Sequence, residues 1–154
     1  MENLFSSIVA IDQNGIPYNI PKTQYKKWKI NSLGFRGKEI DWEKKKGKVR
    51  IVCFGASETL GLHESEGKEW PSQLEEMLKD RYPDVEVINA GTCGTNTYNI
   101  RRRFADFLAL DPNLILFYGG VNDTTHVHFQ FWLNALPKWK KWALRSFVLR
   151  GYFG

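Results

Sequence analysis

Three apolar runs, each ending in a polar turn, constrain the fold more than anything else in this chain. They are VRIVCF at 49–54, VEVINA at 85–90 and LILFYGG at 114–120. Between the first two, Trp70, Leu74, Met77, Leu78 and Tyr82 recur at the spacing of one helical face. Pro71 suits the first turn of that helix, Glu75 and Lys79 form an i,i+4 pair, and Pro83-Asp84 stops it. Between the second and third runs, Ile100, Phe104, Phe107 and Leu108 share one side of a second helix. Asn96 or Thr97 caps it, and Asp111-Pro112 ends it. Strand, helix, strand, helix, strand at this spacing predicts an α/β fold: a doubly wound, flavodoxin-like parallel sheet with right-handed crossovers and helices on both faces. The third run is apolar at every position up to its glycines, which predicts a strand buried on both faces.

The remainder reads as additions to this sheet within one domain, 1–154, long enough for a real core. Residues 1–48 carry Gly15, Pro17, Pro21, Gly34, Gly37 and Gly47 without regular periodicity, and read as a wrapping arm ahead of a 49–154 core. Residues 124–136 read as a His- and aromatic-rich loop or short helix. Residues 137–150, PKWKKWALRSFVLR, read as a last helix, with Trp139, Ala143 and Phe147 near one face. Its lysine stems suit it to covering the sheet rather than lying on a membrane.

Charge and cysteine content narrow the function classes. The net charge of +5 resides largely in residues 44–48, 101–103 and 138–150, runs that read as solvated faces rather than a nucleic-acid site. No run approaches the ~20 apolar residues of a membrane span, and Met1 to Ala10 lacks the basic start of a signal peptide. Cys53 and Cys93 are too few for a disulfide framework and are expected as free thiols. His126 and His128 sit two apart without the accompanying ligands of a metal site, and no cofactor motif is present.

Function concentrates at the strand ends. In a parallel sheet the turns Gly55-Ala56-Ser57, Asn89-Ala90-Gly91 and Gly119-Gly120-Val121-Asn122-Asp123 come to the same carboxyl edge, where ligands bind. Acyl transfer requires such a set. It needs an exposed serine on a turn, a glycine whose amide can approach the oxyanion without an intervening Cβ, and an asparagine donor. Ser57, Gly91 and Asn122 are the candidates. Each alone reads as a turn or capping residue; together, after three successive strands, they point to a site.

These residues resemble the SGNH (GDSL-type) hydrolases. FGASETLGL resembles the family's serine block, INAGTCGTNT its glycine block and YGGVND its Gly-x-Asn-Asp block. INSLGFRGKEI, at 30–40, is similar to an arm that precedes the serine block in some bacterial members. The resemblance implies Ser57 as nucleophile, with Gly91 and Asn122 completing the oxyanion hole. It implies esterase action on small acyl esters or O-acetylated carbohydrate, with O-acyl transfer to a glycan as a related reaction. Ala56 stands where the family usually has Asp, and no Asp-x-x-His follows Asn122. A serine without a base is a weak nucleophile. A distal histidine beyond residue 154, or His126 or His128 within the chain, would supply the base; with neither, the chain is a binding module that keeps the oxyanion pocket. A chain cut before further strands exposes an apolar edge, through which it is expected to self-associate. A mononucleotide-binding alternative is disfavoured, since no phosphate-binding glycine loop follows the first strand.

Overall fold

The computed structural model describes residues 7–25 and 28–123. Its centre is a parallel sheet of three strands, β5 (Val49–Gly55), β6 (Val85–Asn89) and β7 (Leu114–Tyr118), in the order β6-β5-β7. Helix α1 (Ser57–Leu60) follows β5 directly; α2 (Trp70–Lys79) and α3 (Thr97–Leu108) form the two crossovers. Alternation along β5 divides the core between two faces. Ile51 and Cys53 pack with Val85 and Val87 beneath Trp70, Leu74 and Leu78 of α2. Val52 and Phe54 pack with Ile88 and Ala90 against Ile100 and Phe107 of α3. Phe54 stacks on Phe107, with ring centroids 5.0 Å apart, at the middle of that second layer. The expected fold class is therefore the observed one, with a helix on each face.

Several details differ from the sequence reading. Helix α2 ends at Lys79, so Tyr82 lies beyond it and is 46 % exposed, and Met77 is 79 % exposed. The face that packs is Trp70, Leu74 and Leu78; Glu75 forms the expected pair with Lys79, at 3.5 Å, but is also buried, and its Oε2 accepts a hydrogen bond from Val87 N at 2.8 Å. On α3, Phe104 and Leu108 are exposed while Ile100 and Phe107 are buried. Strand β7 is not buried on both faces: Phe117 is 49 % and Tyr118 55 % exposed. Among the described residues β7 pairs only with β5, so its outer side lacks the cover a central strand has.

The arm is more regular than its composition implied. It forms two antiparallel ribbons, β1 (Val9–Ile11) with β2 (Pro17–Asn19), and β3 (Gln24–Tyr25) with β4 (Trp28–Lys29). Asp12 Oδ1 accepts from the amides of Asn14 and Ile16 and shapes the first turn, which Gly15 completes at φ 78°. Asn31 organises the following loop, accepting from Leu33 N and Phe35 N and donating to Lys38 O. Arg36 then bridges to Asn89, so the arm covers the outer edge of β6.

Candidate active site

The parallel pairing carries all three polar turns to one end of the sheet. Ser57 is the first residue of α1, half-buried, two residues beyond the end of β5, with Ala56 between them at the N-cap position. Its Oγ makes no hydrogen bond among the described residues. The turn is tight because Gly55 permits it: a Cβ there would lie 1.9 Å from Tyr118 O and 2.3 Å from Thr59 Oγ1. Thr59 Oγ1 donates to Tyr118 O at 3.3 Å, tying α1 to the end of β7. The helix closes after one turn at Gly61, which is left-handed at φ 75°. The amides of Gly61 and Leu62 both donate to Ser57 O, at 2.9 and 3.1 Å. The peptide carrying the serine is thus fixed from its own helix end.

Gly91 does not occupy the position expected of an amide aimed into a cleft. It is buried, and its N–H donates to Asn89 Oδ1 at 3.1 Å. A Cβ at Gly91 would meet Leu60 N at 2.2 Å and Thr59 C at 2.7 Å. The physical demand on this glycine is close approach to the back of α1. The more open glycine of the same loop is Gly94, half-buried, three residues on and missed in the sequence reading. Its φ is +74°, open space surrounds its missing Cβ, and its N–H makes no hydrogen bond among the described residues. The second glycine of GTCG, before a helix cap, was the available signal.

Asn122 lies in a 3-10 turn, Val121–Asp123, at the end of β7. Its Nδ2 donates to Thr95 O at 2.8 Å. Asp123 Oδ1 accepts from Thr97 Oγ1 at 2.5 Å and from Thr97 N at 3.2 Å. These bonds seat the third turn on the Gly94 loop, whose far end is fixed by Asn96 Oδ1 capping Asn99 N at 2.9 Å. Ser57 and the Asn122 loop therefore flank the end of β7, and Gly91 lies behind them.

Two further groups lie close by. Glu58, beside Ser57 in the first turn of α1, has a buried Oε2 without a hydrogen-bond partner among the described residues. Cys93 is a buried free thiol whose pKa is pushed up to about 12, by burial first and by the Glu58 carboxylate second, against the Arg36 guanidinium. Cys53, inside β5, is likewise free and raised to about 12 by burial. Neither thiol suits nucleophilic chemistry at neutral pH. Among the described residues no His, Cys, Asp and Glu cluster could hold a metal ion, and no helix is long and apolar enough to cross a membrane. His126, His128 and the expected 137–150 helix lie outside the described residues.

The sequence profile of the GDSL-like Lipase/Acylhydrolase family matches residues 53–146, more than half of the chain. Among solved structures, the chain is similar to AlinE4, described as an SGNH-hydrolase family esterase, at 28% identity and a TM-score of 0.45. That match covers 52% of this chain and 44% of the esterase, so the chain spans less than half of its length. Two single-residue variants of AlinE4 match at 28% and 27% identity, with TM-scores of 0.45 and 0.44 and the same coverage. No curated protein matches significantly.

Proposed function

The chain belongs to the GDSL-like lipase/acylhydrolase family, and from that premise we propose that it is the serine-bearing part of an esterase acting through Ser57. The observation that carries the reading is the unpartnered Ser57 Oγ on a rigid turn at the carboxyl end of the central strand, beside the turn that carries Asn122. Arm and core act in it as one domain. Ser57 Oγ attacks the ester carbonyl carbon and passes its proton to a general base, for which His126 and His128 are the candidates within the chain. The bond to the leaving alcohol then breaks, giving an acyl-serine, and water releases the acid. The developing oxyanion is held by the Ser57 amide, the Asn122 side chain and a loop amide. Gly94 replaces Gly91 in that last role, because the Gly91 amide is already bonded to Asn89. Tyr118 and Tyr98, both exposed at this end of the sheet, suit the faces of a sugar ring and favour an O-acylated carbohydrate as substrate.

The test is hydrolysis of p-nitrophenyl acetate by the full chain against Ser57→Ala. The substitution is expected to remove most of the rate, since oxyanion stabilisation and binding alone sustain only ~10³-fold acceleration over water. An unchanged rate overturns the reading. Loss of the rate on His126→Ala or His128→Ala would identify the base.

A further inference from the structure

A charged side chain from the arm lies under the serine turn. Arg36 is buried, with no exposed side-chain surface. Its Nη1 donates to Leu60 O and Gly61 O, both at 2.6 Å, and its Nη2 to Glu64 O at 2.9 Å. Both carbonyls stand at the end of α1; Leu60 O has no backbone donor among the described residues, and Gly61 O also accepts from Glu64 N at 3.0 Å. The guanidinium is balanced by Glu69, equally buried, whose Oε2 is 3.6 Å from Nη2, and by Glu66 at 4.0 Å. Trp28 lies 6.0 Å from the guanidinium carbon and packs with Ile8, Ile30, Leu60 and Cys93 in a core of its own.

We infer that Arg36 is a positioning residue for the nucleophile: it holds Ser57 through the end of α1, without touching the reacting atoms. The connection is short. Arg36 Nη1 fixes the Gly61 peptide, and the amides of Gly61 and Leu62 fix Ser57 O. A guanidinium is suited to this task because its fixed planar fork reaches several carbonyls at once; an ammonium on a flexible stem is not equivalent. The same arginine also joins the arm to β6, through Arg36 N to Asn89 O at 3.1 Å. One residue thereby links the serine turn and the strand that leads into the glycine loop. The inference rests on the esterase reading for its catalytic consequence, but not for its structural one.

The experiment uses the full chain with Arg36→Lys, Arg36→Met and the double variant Arg36→Met/Glu69→Gln, which removes the buried charge left behind if Arg36→Met alone fails to fold. Arg50→Met serves as the control, being an equally buried arginine that touches no part of the turn. Amide hydrogen exchange at Gly61 and Leu62 is compared with exchange in β5 and β6, and kcat is separated from KM for p-nitrophenyl acetate. A variant lacking the arginine is expected to exchange roughly tenfold or more faster at Gly61 and Leu62 than the sheet amides account for. Its kcat should fall by about tenfold or more with KM little changed, and Arg36→Lys should recover only part of it. Unchanged exchange at Gly61 and Leu62 overturns the inference, as does an equal kcat loss in Arg50→Met at matched folded fraction. If wild type and Ser57→Ala hydrolyse alike, the esterase reading fails instead, and hydrogen exchange alone decides whether Arg36 holds the turn.

Discussion

Two buried arginines stand at opposite ends of the same sheet and use the same device. Arg50, near the amino end of β5, donates to Glu86 Oε2 at 2.7 Å, to Trp42 O and Leu110 O at 2.9 and 2.8 Å, and to Asp41 O at 2.8 Å. Arg36, at the carboxyl end, donates to three carbonyls and is balanced by two glutamates. Each fastens part of the arm to the core. The difference lies in what is fastened. The carbonyls that Arg50 holds belong to the arm and to the turn after α3, whereas those that Arg36 holds belong to the helix carrying Ser57 and the loop after it. In open α/β sheets the amino ends of strands are anchorage and the carboxyl ends hold ligands. Burying a guanidinium is expensive at either end, and at one end the expense secures the fold while at the other it secures the site.

The largest expected effect is at the anchoring end. Burial alone would raise the Glu86 carboxyl, but hydrogen bonds and charge from Lys48 and Arg50 outweigh it and hold the pKa below its ordinary value. Arg50→Met leaves that carboxylate short of a partner, and should lower stability by ~3–5 kcal/mol in urea unfolding. Specific activity per folded molecule should stay near wild type; a large loss would erase the contrast between the two ends. Next comes Gly91→Ala, in which the new methyl would press on the backbone of α1. It should cost about 3 kcal/mol, at the upper end for overpacking, and should displace Ser57. A neutral outcome would mean that α1 can yield, and that the carboxyl end is looser than its contacts imply.

A smaller effect comes with pH. A thiol raised from 9.0 to about 12 keeps its proton in the folded chain at a pH where the unfolded chain has released it. Stability therefore falls as pH rises above 9, by about 1 kcal/mol per thiol between pH 9 and 10. Cys53→Ala and Cys93→Ala should each remove about half of that slope in urea titrations; no change in slope in either variant would show that the thiols are not protected by burial. The smallest effect is that of Asn96→Ala. It deletes the cap of α3 and should cost about 1 kcal/mol in the same assay, with the Gly94 loop loosened more than the sheet.

Much of this architecture was legible because its signals are local. β5, β6, α2 and α3 announce themselves by period and by their stop residues, and Ser57 by its place after an apolar run. What escaped was set by contacts distant in sequence. Nothing near Arg36 shows that it will meet Leu60 and Gly61, and nothing near Glu75 shows that it will accept from Val87. Gly91 and Gly94 have the same local freedom. Only the folded loop shows that one is pressed against α1 while the other faces open space. The β7 strand was misjudged for a related reason, since an apolar run reports what its side chains prefer and not which neighbours pair with it. The β1–β2 hairpin carried a local signal, Asn14-Gly15, inside a segment whose glycines and prolines otherwise read as irregular.

The central claim is that the carboxyl end of the sheet is the reactive end and that Ser57 is its nucleophile. The most direct measurement is acid quenching of the full chain during turnover of p-nitrophenyl acetate, followed by peptide mass spectrometry. The account predicts an acetyl group on the peptide containing Ser57, absent in Ser57→Ala and slower to form in Arg36→Met. Turnover with no acetyl group on Ser57, or with the group on another residue, would contradict it.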